Sequence, residues 1–151
     1  MPKAAHILLV DDSRSDIDLA LEAFRTANFG DSVHTAIGGQ AALDYLFGRG
    51  SYVDRKTHPL PNLVLLDIQM PDTDGIEVLR QVKATPDLKR IPVIVLTSSK
   101  KASHVAQAYE LGANSFLVKP ATFEDFVKLI TTIKTYWLTI NTGPLGPNFK
   151  Q

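Results

Sequence analysis

Five short apolar runs recur along the chain, and between them apolar residues fall at helical spacing. The runs are residues 6–10, 33–36, 63–66, 91–96 and 115–118, and each is short enough for a strand. Ile17, Ala20, Leu21 and Phe24 predict an amphipathic helix over residues 14–27, after the N-cap groups of Asp11, Asp12 and Ser13. Ala42, Leu43 and Leu46 predict a second helix over 40–47, behind the break at Gly38 and Gly39. Ile76, Val78, Leu79 and Val82 predict a third, starting after a turn at 72–75 and ending near 83–86. A fourth spans 102–111 and closes on Gly112. Thr122 and Asp125 have the spacing of a capping box, which opens a last helix over 122–139. Strands apolar throughout and joined by helices imply a five-stranded parallel sheet, doubly wound, with five helices on its two faces. Its crossovers are expected to be right-handed.

Three stretches lack the pattern. Residues 28–31 make a turn. Residues 48–61 have two prolines and no apolar period, so they read as a long loop, either functional or a tolerated surface insertion. The Gly- and Pro-rich tail, 141–151, is too short for an output domain, so the expected organisation is one domain over 1–140 and a tail.

Composition narrows the function. Sixteen basic residues balance sixteen acidic ones, which argues against a nucleic-acid or membrane footprint. The absence of cysteine excludes disulfides, thiolate nucleophiles and Cys-based zinc sites, and favours a cytoplasmic protein. No signal peptide or membrane span is visible.

The candidate chemistry lies just past four strands. Asp11 and Asp12 follow the first, Asp67 the third, Thr97 the fourth and Lys119 the fifth. In a parallel sheet these ends point one way, and ligands bind there. Three carboxylates against one ammonium repel one another until a divalent cation joins them, and oxygen ligands suit Mg2+, with Mn2+ as a substitute. A carboxylate beside such an ion is prepared to attack a phosphoryl group, with Thr97 and Lys119 holding its oxygens. Singly, each residue also fits a plain role as cap, strand end or solvated charge; together they converge. Lys119–Pro120 is a candidate cis bond, although a trans turn has the higher base rate. No Gly-rich phosphate loop follows the first strand, and no Gly-x-Ser-x-Gly or His-Glu-x-x-His is present.

These motifs, Val10-Asp11-Asp12, Leu65-Leu66-Asp67-Ile68-Gln69-Met70-Pro71, Asp74-Gly75, Val95-Leu96-Thr97-Ser98 and Leu117-Val118-Lys119-Pro120, occur in that order. The chain over residues 5–139 thereby resembles the receiver domain of two-component response regulators. The resemblance implies a flavodoxin-like fold with strand order 2-1-3-4-5 and a phosphoryl group accepted on Asp67 from a sensor histidine kinase. It implies Mg2+ held by Asp12, Asp67 and the main-chain carbonyl of Gln69, with Asp11 acting through water. Thr97 and Lys119 would contact the phosphoryl group, and Phe116 would turn inward as Thr97 moves. The long loop and the missing output domain are similar to stand-alone regulators partnered with phytochromes. A competing function, a metal-dependent phosphohydrolase with Asp67 as nucleophile, is weakened by Gln69, where such enzymes commonly carry an acid. A phosphorylation-independent scaffold would not need the acidic, Thr and Lys set.

The last helix carries one more expectation. Phe123, Phe126, Val127, Ile130 and Trp137 form a core stripe, and Leu129, Ile133, Tyr136 and Ile140 widen it. So broad an apolar arc predicts a homodimer through the helix 4–strand 5–helix 5 face, or else burial under the tail through Leu145 or Phe149.

Overall fold

Side-chain alternation puts two cores on one sheet. The computed structural model describes residues 5–29, 33–70 and 74–143. β1 (Ile7–Asp11), β3 (Leu63–Leu66) and β4 (Val93–Thr97) are buried at every position, and successive residues face opposite sides. Ile7, Leu9, Leu63, Leu65, Ile94 and Leu96 pack on one side against α1 (Arg14–Thr26) and α5 (Phe123–Thr135). Leu8, Val10, Val64, Leu66, Val93 and Val95 pack on the other against α2 (Gly39–Phe47), α3 (Gly75–Ala84) and α4 (Ala102–Glu110). β2 (Val33–Ile37) and β5 (Ser115–Val118) are the less buried edges. All pairings are parallel, in the order β2-β1-β3-β4-β5. The expected sheet, order and helices are therefore present. Among the described residues, no helix is long and apolar enough to cross a membrane.

Three expectations change. β4 begins at Val93 rather than at residue 91, because Pro92 has no N–H for a ladder. α5 stops at Thr135 and continues as a π-helical turn, Tyr136–Ile140. Its core row is Phe126, Ile130 and Ile133, whereas Phe123, at the capped first position, is exposed. Ile133 therefore belongs to the core and Phe123 does not. Leu145, Phe149 and most of the tail lie outside the described residues, as do Gly30, Asp31 and the 71–73 part of the turn before α3.

The segment 48–61 is a packed strap rather than a plain loop. A 3-10 turn forms at Gly50–Tyr52. The Arg55 guanidinium donates to the carbonyls of Tyr45 (2.8 Å), Leu46 (2.9 Å) and His58 (3.2 Å), tying the last turn of α2 to the segment that follows it. Tyr45, 1% exposed, donates to the Pro59 carbonyl at 3.0 Å. Burial pushes its phenol up to about 12, so it remains a donor at neutral pH. Tyr52 and His58 rings lie 5.1 and 5.6 Å from the Tyr45 ring.

His34, on β2, sits between His6 and Tyr45. Burial first, then the nearby His6 and His58, holds its imidazole below the ordinary 6.5. The folded chain thus binds this proton less tightly than the unfolded chain. Stability is full above about pH 6.5 and falls as pH drops below it, toward the folded value. Urea unfolding of His34→Gln should show a flatter decline than wild type between about pH 7 and 5; equal slopes would exclude this role for His34.

Candidate functional site

Strand register sets the floor of the site. Val10 of β1 pairs with Leu66 of β3, so Asp11 and Asp67 leave the sheet at one level. The Asp67 N–H donates to the Val10 carbonyl at 3.0 Å. Thr97, the last residue of β4, pairs with Val118, and the next N–H, from Lys119, donates to the Thr97 carbonyl at 2.8 Å. Four chain segments far apart in sequence thereby end side by side.

The side chains then converge. The Lys119 ammonium lies 2.7 Å from Asp11 Oδ2 and 3.1 Å from Asp67 Oδ2. Thr97, fully buried, donates its hydroxyl to Asp67 Oδ1 at 2.9 Å. The Gln69 N–H donates to the same oxygen at 2.9 Å, and Ser13 N–H donates to Asp11 Oδ1 at 3.1 Å. Asp11 and Asp67 are 4% and 6% exposed, while Asp12 faces solvent. Phe116 is half-buried on β5, packed against the α2–α3–α4 core and paired with Val95. The Thr97 hydroxyl already points at Asp67, so it needs no large inward swing to reach a group placed there.

The Lys119–Pro120 bond is trans, as is every peptide bond among the described residues, which corrects the cis candidate. Trans is the isomer that an X–Pro bond ordinarily prefers.

Charge asks for a cation. Asp11, Asp12 and Asp67 each offer an oxygen, and these oxygens lie within 4.8 Å of one another. Partial burial and the charges of Asp11 and Asp67 hold the Asp12 carboxyl above its ordinary range. Lys119 is held above its own: burial opposes the charge, but the Asp11 hydrogen bond and the Asp67 and Asp11 charges outweigh it. One ammonium against three carboxylates leaves a negative excess. The donors are all oxygen and one face is open, which fits a hard divalent ion.

Two contributors were not singled out from the sequence. Asp16, capped by Ser13 in the first turn of α1, brings an oxygen to 3.4 Å from the Lys119 ammonium. Only the short spacing from Asp11 hinted at it. Behind Thr97, Ser99 Oγ lies 2.5 Å from His104 Nδ1 and accepts from Lys101 N–H at 3.3 Å, bracing the β4–α4 turn. No sequence pattern announces that pair.

Gly75 is required for close approach. A Cβ there would lie 2.3 Å from the Asp67 carbonyl oxygen and 2.6 Å from Ile68 Cα, both backbone atoms. Asp74 caps α3 by accepting from Glu77 N–H at 3.0 Å, seating the helix against the site. Gly75→Ala should cost about 1–3 kcal/mol, the ordinary penalty of overpacking. Chemical denaturation reads it directly, and an unchanged midpoint would contradict the contact.

Comparison with known proteins agrees with this arrangement. The response regulator receiver domain family matches residues 7–131. The chain is 41% identical to response regulator Rcp1 of Synechocystis sp., over 91% of this chain and 92% of that one. The crystal structure of the phosphorylated cyanobacterial phytochrome response regulator RcpA superposes with a TM-score of 0.86 at 34% identity, covering 95% of this chain and 100% of that one. The Mn2+-bound form of Rcp1 superposes with a TM-score of 0.78 at 40% identity, covering 93% and 99%.

Proposed function

The chain belongs to the response regulator receiver domain family, a family of signalling proteins, and we propose that Asp67 is its phosphoacceptor, charged by a sensor histidine kinase. The observation that carries this is the convergence of Lys119 and Thr97 on the two oxygens of one buried carboxylate. An Asp67 oxygen attacks phosphorus, the P–N bond of the donor phosphohistidine breaks, and the departing imidazole nitrogen keeps the bonding pair. Lys119 moves from carboxylate to phosphoryl oxygen, and the Thr97 hydroxyl, already inward, donates to another. Asp12, Asp67 and the Gln69 carbonyl, with Asp11 through water, would hold Mg2+ or Mn2+, which screens the phosphoryl oxygens. The acyl phosphate then hydrolyses slowly, because the side chain at Gln69 is an amide and not a base.

Phosphorylation adds charge and acceptor oxygens at Asp67. With the Thr97 hydroxyl already inward, the packing of Phe116 shifts between two populations and alters the α4–β5–α5 face. That face exposes Tyr109, Val118, Phe123, Tyr136 and Ile140, which supports a homodimer formed through it. Sedimentation with and without beryllofluoride should show a dimer in at least one state. A monomer in both would reject it.

Kinship with Rcp1 and RcpA supports a phytochrome-type kinase as the partner, acting in the cytoplasm. The test is phosphotransfer from purified histidine kinases of the host, read by label on the intact chain. Preferential labelling by a phytochrome kinase is expected. Labelling by another kinase alone would reject that partner, and labelling by none would reject the receiver role.

A further inference from the structure

The other end of the sheet holds a second polar cluster, made of nitrogen rather than oxygen. His6 precedes β1, and its backbone is pinned to the start of β3. Its N–H donates to Asn62 Oδ1 at 2.8 Å, and its carbonyl accepts from Asn62 N–H at 2.7 Å. His34 lies opposite Leu8 on β2. Alternation places its side chain on the same sheet face as His6. His6 Nδ1 and His34 Nε2 are 3.2 Å apart. The rings are tilted at 47° with centroids 5.2 Å apart, so they meet at their nitrogens rather than stacking.

We propose that His6 and His34 form a two-histidine site for a divalent transition metal of the Zn2+, Ni2+ and Cu2+ class. The geometry fits: two nitrogens at about 2.0–2.1 Å from a tetrahedral ion lie about 3.3 Å apart. The chemistry separates this site from the acid cluster, since imidazole favours these metals and carboxylate favours magnesium. The same spacing serves a hydrogen bond between neutral rings. Metal binding needs the donor ring to move its N–H to the other nitrogen and both rings to turn, so that the two lone pairs meet at a point off the line between the nitrogens. Among the described residues no carboxylate joins them, since the one group of three or more ligating side chains found there is Asp11, Asp12 and Asp67. Water therefore completes the coordination shell. Both strands are anchored, β1 in the sheet centre and β2 at its edge, so the pair is held in register before any ion arrives. Beyond His34 lie Tyr45 and then His58, whose Nδ1 is buried without a hydrogen-bond partner. A bound ion would tie the edge strand to the sheet centre beside the strap that follows α2.

The test is calorimetric titration of the untagged full-length chain with Ni2+ in saturating Mg2+. One site is expected. His6→Gln and His34→Gln should each weaken it at least about tenfold, the least that loss of even an outer-shell partner costs. His104→Gln and Asp12→Asn should retain it. Equal affinity of wild type and His34→Gln, or equal loss in Asp12→Asn, would overturn the proposal. Should either variant fail to fold, imidazole NMR of the wild-type chain decides. Zn2+ should shift the ring resonances of His6 and His34. Shifts confined to His58 and His104, the other two histidines, would overturn it.

Discussion

Asp67→Asn is expected to take up no phosphoryl group from acetyl phosphate and Mg2+, under conditions in which the wild-type chain gains one. The substitution keeps the size of the side chain and removes the nucleophile, because an amide oxygen does not form a stable acyl phosphate. Its structural effect is small. Lys119 keeps its 2.7 Å contact with Asp11, the cluster loses one of its mutually repelling charges, and Thr97 can still donate to the amide oxygen. A folded, unlabelled variant is therefore the outcome, read by intact-mass spectrometry alongside circular dichroism. Persistent labelling would move the acceptor to another residue. Should the variant fail to fold, peptide mapping of the labelled wild-type chain decides, and label outside the Asp67 peptide would move the acceptor.

Lys119→Ala should separate phosphoryl chemistry from metal binding. The ammonium pairs with two buried carboxylates, its own side chain being 17% exposed. Removing it should cost about 3 kcal/mol, the lower end of the range for a broken buried pair, because the Asp12 side opens to water. The sign with pH follows from its raised pKa. Lys119 stabilises the fold fully below its ordinary 10.5 and loses that effect as pH rises through the higher folded value. The stability gap between wild type and variant should therefore stay constant across neutral pH in Mg2+-free buffer. Mg2+ should narrow it, since the ion supplies the positive charge that the variant lacks. Mg2+ affinity itself should be equal or higher in Lys119→Ala, with no ammonium left to repel the ion. Phosphoryl uptake should fall about ten- to a hundredfold, the worth of one hydrogen bond to a charged group. Equal loss of Mg2+ affinity and of phosphoryl uptake would contradict the separate roles assigned to Lys119 and the acids.

How legible the site was depended on how local its signals are. Asp11, Asp12, Asp67, Thr97 and Lys119 each end an apolar run, so polarity at a strand end exposes them one by one. Asp16 sits mid-pattern on an amphipathic helix, where an acid is ordinary, and only its 3.4 Å approach to Lys119 distinguishes it. The strap after α2 was opaque for a different reason. Arg55 satisfies main-chain carbonyls of Tyr45, Leu46 and His58, and side chain-to-backbone capping leaves no period in the sequence. The α5 stripe was misplaced by one turn at its start: Phe123 is apolar and correctly spaced, yet Phe126 is the first of its side chains to be buried.

Hydrophobic period, turn chemistry and strand-end polarity are properties of neighbouring residues, so the chain order alone settles the strands, the helices, the parallel sheet and the identity of the five central side chains. Distances between segments are not local. Strand register decides that Asp11 and Asp67 end level, that Thr97 already meets Asp67, and that His6 faces His34 at the far end. Pairing across the sheet brings these groups together from tens of residues away, and no pattern within one segment carries that information.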